Sequence, residues 1–332
     1  MSRSSGAVAL AALLGLACGG AVEPGEPEGV RVTRPLTTVR VEPGALRPAA
    51  SAYDALVRAG SPAALRVELA PGTYQGEVLH LVDDDEEGHL SVSLVAAGEV
   101  LWRGGQLSVE GEEVALEGIS FVGARQERHL ISLSASERIG LDGVLIADNH
   151  LSGKLGAPLV RLVATGAGVV VDASALQVLG NSGPGAGLSL ETRPGARYGR
   201  VALSDGLWAG NAVARDLSAP GTRALELRGE LWQSEAQLAW LPLDGASVTV
   251  EGSVLCLASA GSALSAAPAG APAVVTVTGT AVRVGDGVLE APEAWIVDRA
   301  LLPLREVDLT ALIGAAGRGE RASLAAVRAL LE

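Results

Sequence analysis

Between residues 114 and 282 the apolar and polar positions repeat one phrase: apolar, any, apolar, polar, small, then an apolar residue three positions on. The copies are Val114–Phe121, Ile139–Ile146, Val169–Leu176, Val201–Trp208, Leu225–Trp232, Val248–Leu255 and Val275–Val282. Their starts step by 25, 30, 32, 24, 23 and 27 residues. Alternation with period two marks a strand that buries one face. The fifth position is usually Gly, which suits a bend between two short strands. The eighth is apolar in every copy (Phe121, Ile146, Leu176, Trp208, Trp232, Leu255, Val282), so a strand beyond the bend also points a side chain inward.

A unit this short, made only of strands, cannot bury its apolar face alone. Stacked copies bury it, and the product is a quasi-one-dimensional solenoid. Propeller blades need about 40 to 50 residues each, and leucine-rich repeats need their own Leu/Asn spacing. The pattern therefore predicts an all-β fold, a single parallel β-helix with insertions confined to its turns. A repeat array is one continuous unit, so the chain is not split into domains of average size. Short helices are expected at both ends. Ser51–Gly60 sets Tyr53, Leu56 and Val57 on one face, with Ser51 as N-cap and Gly60 as stop. Arg321–Leu331 does the same with Leu324, Val327 and Leu331. Both read as caps over open strand edges.

Leu65–Val78, with its Pro71-Gly72-Thr73-Tyr74 turn after a helix, resembles the entry into the right-handed parallel β-helix of the pectin-lyase-like superfamily. Asn149, Asn181 and Asn211 each follow the second strand of a copy and resemble the turn asparagines that stack in such helices. The resemblance covers residues 36–300, with a C-terminal cap over 301–332. It implies a right-handed solenoid and leaves activity open, because the superfamily holds lyases, esterases, hydrolases and proteins without chemistry.

The N-terminus reads as an export signal. Arg3 is its basic part, and Ala7–Leu16 is an apolar stretch too short to span a membrane. Leu14-Gly15-Leu16-Ala17-Cys18 resembles a bacterial lipobox, with Gly15 where Leu is usual. That resemblance implies a signal peptide over 1–18, lipidation of Cys18 and a membrane partner through the lipid. Gly19, in place of the Asp that retains many lipoproteins at the inner membrane, points to the outer membrane. Residues 19–35, rich in Pro, Gly and Glu, read as a flexible tether. The second cysteine, Cys256, lies beside Leu255 and reads as a small core residue.

The net charge of −13 argues against nucleic acid and anionic membrane surfaces as partners, since both bind basic patches, and against polyanionic polysaccharides unless a cation bridges them. Candidate chemistry is sparse. The fourth position of the phrase faces outward, and in the first three copies it reads Glu117, Asp142, Asp172. Stacked carboxylates repel, so either solvent screens them or a cation such as Ca²⁺ lies between. Asp83–Glu87 reads as a solvated turn without the spacing of a calcium loop. His80, His89, His129 and His150 lack metal-site spacing. Trp208 and Trp232 share an inward position and read as a core stack; Trp240 has no assigned place. The glycosidase and esterase motifs of the superfamily are missing, and a lyase base has one candidate, Arg161, between the second and third copies. Two functions remain. One is a non-catalytic cell-envelope β-helix presenting a surface to a glycan or protein. The other is a calcium-dependent polysaccharide lyase built on Glu117, Asp142 and Asp172.

Overall fold

The computed structural model describes residues 35–60, 62–82, 90–153, 157–217, 219, 221–234, 247–259, 274–278, 281–286, 295–297, 301–303 and 308–331. These belong to one compact unit, a right-handed solenoid of parallel strands, as the repeat requires. The signal and tether positions through Arg34, the acidic run 83–87, His89, Lys154 and Trp240 lie outside the described residues, as do the side chains of Cys256 and Trp295.

Three ladders run along the solenoid. In the first, Leu65, Val92, Val114, Ile139, Val171, Val201, Leu225, Val248 and Val275 stand opposite one another on successive rungs. In the second, Tyr74, Trp102, Phe121, Ile146, Val178, Trp208 and Trp232 do so. In the third, Leu79, Leu107, Ile131, Val160 and Leu188 do. All of these side chains through Val248 are buried and point into one shared core. Trp208 and Trp232 thus occupy the core, as their position predicted. Tyr74 stacks on Trp102 with ring centroids 5.4 Å apart, and Phe121 follows at 5.9 Å. The Tyr74 hydroxyl donates to the carbonyls of Val41 and Ala70, which ties the Pro-Gly-Thr-Tyr turn to the first rung. Burial pushes this phenol up to about 12, so it stays a neutral donor.

The register moves the third copy by two residues. Val171, not Val169, continues the row of Ile139 and Val201, and Val178 rather than Leu176 fills the eighth position. The starts therefore step by 25, 32, 30, 24, 23 and 27. Backbone conformation fixes this assignment. Among the described residues the fifth position of a copy is left-handed: Gly118 (φ 74°), Gly143 (56°), Ala175 (50°), Asp205 (52°), Gly229 (64°) and Gly252 (58°). Glycine reaches that region without a steric penalty, so it fills the bend in four of these six copies.

The turn between the second and third ladders carries Asn149, Asn181 and Asn211, each buried. Asn149 Nδ2 donates to Asn181 Oδ1 at 3.0 Å, and Asn181 Nδ2 donates to Asn211 Oδ1 at 2.9 Å. Each amide group also donates to a backbone carbonyl, of Phe121, Ile146 and Val178 in turn. The asparagines stack as the resemblance implied, and they satisfy turn groups that no strand can reach.

Helix α1 (Arg47–Ala59) caps the N-terminal end, burying Ala49 and Tyr53 against the core, with Leu56 and Val57 beside them. It starts earlier than expected. Leu46 precedes it, a proline lies in its first turn, and Ser51 sits inside it; proline suits a first turn, whose N–H has no partner anyway. Gly60 ends it in the left-handed conformation, as predicted. Helices α2 (Thr310–Gly317) and α3 (Leu324–Leu331) take a different place from the expected end cap. They lie along the flank, on the outer face of the second ladder. There Leu309, Ala316 and Val327 pack onto Val122, Leu145, Ala147, Leu179, Leu207, Ala209 and Leu231. From Val122 to Leu231 the second ladder is therefore mostly apolar on its outer face as well, with Gln177 as a polar member beneath the strap.

Candidate functional site

The outward face of the first ladder is the candidate site. Side chains alternate along each strand, so the residues on either side of the buried row point outward. On the early rungs three of these outward residues are charged, Arg66, Glu113 and Arg138, and the other five are small: Ala64, Ser91, Ser93, Ala115 and Gly140. They floor a groove of about 310 Å³, with Glu113 and Arg138 beside it. That volume lies at the low end of the range for small-molecule sites. No aromatic side chain lines it, so any ligand is recognised by hydroxyls, backbone and charge.

Beyond the groove the same face carries a chain of alternating charge. Arg138 meets Asp172 at 2.8 Å, and Asp172 meets Arg200 at 3.3 Å. Arg200 grips Glu226 through two bonds of 2.9 and 3.0 Å. Arg228 meets Glu226 at 3.1 Å and Glu251 at 3.8 Å. The hydrogen bonds from Arg200 hold the Glu226 carboxyl below its usual range, and Arg228 adds to this. These groups are partly exposed, so each pair contributes little alone, about 0.2–1 kcal/mol. Their common effect is to fix six long side chains on one face.

This geometry redistributes the expected acidic column. Glu117 and Asp142 are opposite each other on adjacent rungs. The next residue in their row is Ser174, whose hydroxyl donates to Asp142. Asp172 belongs to the neighbouring outward row, opposite Gly140, and is held by two arginines. The three acids therefore do not share one row: Glu117 and Asp142 stand together, and Asp172 stands apart from them. Among the described residues no three His, Cys, Asp or Glu side chains gather as metal ligands. Arg161 stands on the third ladder, paired with Glu191 at 2.6 Å, and not beside these acids. His150 is exposed, with Nδ1 2.9 Å from Ser182 Oγ, and His129 is half-buried against Gln106. Arg138, Arg200 and Glu226 were not singled out from sequence. Their signal lies in the outward row flanking the buried one, read in the correct register. Comparison with protein-family models, curated proteins and solved structures gives no match.

Proposed function

We propose that this chain is a non-catalytic β-helical protein of the bacterial cell envelope, anchored through Cys18, that presents its first-ladder face to a glycan. The observation that carries this reading is the groove floored by Ala64, Ser91, Ser93, Ala115 and Gly140. Its floor crosses four rungs at about 4.8 Å each in two adjacent rows, Ala64 and Ser91 in one and Ser93, Ala115 and Gly140 in the other, a footprint that fits an extended polyhydroxylated chain. A presenting role is supported over a lyase by Asp172, which stands in a different row from Glu117 and Asp142 and is held by Arg138 and Arg200, so the three lyase acids do not converge. A glycan array probed with the chain from about residue 30 onward tests it. Binding is expected for wild type and lost in Gly140→Leu. Gly140 has no left-handed backbone, and a Cβ there meets only ordinary contacts, so that variant fills the groove without strain. Equal binding by both proteins sinks the groove as the site. Labelling with a radioactive fatty acid, expected for wild type and absent in Cys18→Ser, tests the anchor.

A further inference from the structure

The outward face of the third ladder gathers basic and hydroxyl groups on a chain of net charge −13. His80, Ser108, Ser132, Arg161 and Ser189 stand opposite one another on consecutive rungs. Ser108 and Ser132 are each only 8% exposed, while His80 is open to solvent. Beside this row, His129 contacts Gln106 through its Nε2. We infer that this face is a binding site for an oxyanion, held by His80 and His129 with the hydroxyls of Ser108 and Ser132, while Arg161, one rung beyond Ser132, adds positive potential.

Several charges act on His129 through space: Arg161 from the strand Val160–Ala164, His80 from Val78–Leu81 and Arg128 from its own loop. The one acid among them is Glu191, from Ala186–Thr192, and its carboxylate is paired with Arg161. Burial, then Arg161, His80 and Arg128, hold the His129 imidazole below its usual range. An anion among these groups removes that repulsion and favours the charged imidazole. Linkage then runs both ways: a bound oxyanion raises the protonation of His129, and a falling pH tightens the anion. The site is independent of the first-ladder groove and stands or falls without it. The ligand chemistry has two sources, a free inorganic anion or the sulfate ester or carboxylate of an acidic sugar.

Calorimetric titration of the full chain at low ionic strength separates them, using inorganic sulfate, inorganic phosphate, a sulfated disaccharide and galacturonate at pH 5.5 and pH 8. At least one of these is expected to bind ten-fold or more tightly at pH 5.5. The sugar arms alone giving heat assigns the site to an acidic glycan. Heat from the inorganic arms as well assigns it to the oxyanion itself. His80→Gln with His129→Gln is expected to abolish the pH dependence, and Arg161→Gln to weaken binding at both pH values. Imidazole proton shifts of wild-type His129, followed with and without the tightest ligand, cover the case in which a variant fails to fold. Absence of heat in every arm at pH 5.5, or a His129 titration that the ligand leaves in place, overturns the site.

Discussion

The bend residue of each copy gives the cleanest single-residue test. Gly143 and Ala175 occupy equivalent left-handed positions, at φ 56° and 50°. A Cβ on Gly143 would touch nothing within 4 Å, so its replacement meets backbone strain alone. Gly143→Ala is expected to cost about 1 kcal/mol, and Ala175→Gly to gain a fraction of that, since glycine's extra unfolded entropy offsets part of the relief. Chemical denaturation of the two variants checks both signs. Asn181 is the central member of its stack, accepting from the Asn149 backbone and side chain while donating to Ile146 and Asn211. Asn181→Leu leaves several buried groups unpaired and is expected to cost about 3 kcal/mol or more. An unchanged unfolding midpoint would remove the stack from the stabilising interactions. Ala175 also explains why the third copy was misread. Val169, Val170 and Val171 offer two apolar starts two residues apart, and alternation cannot choose between registers that differ by a full period. The bend residue here is an alanine and not one of the four glycines, so the local signal is lost and only pairing with Ile139 and Val201 restores it.

At the scale of one ladder, the charge chain on the first face has a defined acid response. Glu226 is held below its usual range by Arg200. A carboxyl whose folded value is depressed contributes stability that is fully present above its unfolded value, about 4.3. That contribution is lost as pH falls through the lower folded value. Thermal melts from pH 6 down to pH 3 are therefore expected to fall more steeply in wild type than in Glu226→Gln, and the gap is expected to close at the acid end. Parallel curves across that range would show that the Arg200–Glu226 pair adds nothing to folding. The ladder itself was legible from alternation, because its inward rows are apolar from end to end. Its outward chemistry was not, since a two-residue slip moved Asp172 into the wrong row and hid the arginines that hold it.

Across the whole molecule, the strap of α2 and α3 binds distant coils together. Arg321 donates to the carbonyls of Gly118 and Gly143, and Arg328 to those of Gly229 and Gly252. The Gln177 amide pairs with Ala322 in both directions, at 2.9 and 2.8 Å. Ile313 rests against Gly180 and Gly210, where any Cβ would collide with it. Truncation before residue 308 uncovers Leu145, Leu179, Leu207 and Leu231 together. A patch of that kind on a soluble surface promotes association, so the truncated chain is expected to bind a hydrophobic dye and to elute from a sizing column above its monomer position. A monodisperse, dye-silent truncation would show that the flank needs no cover. Of the two strap helices, α3 was legible as the apolar stripe of Leu324, Val327 and Leu331, and α2 was not; the resting place of neither was. It depends on the outward residues next to the eighth position, and apolar neighbours such as Leu145-Ile146 and Leu207-Trp208 break the alternation without saying what lies over them.

The contact from Arg321 to Gly118 spans 203 positions of sequence. During synthesis the early coils therefore emerge long before the segment that covers them. At the 5–20 residues per second of a translating ribosome, this flank stays bare for about 10 to 40 seconds. A nascent chain in that interval carries a continuous oily strip, a handle for the chaperones that keep polypeptides open until their last contacts arrive.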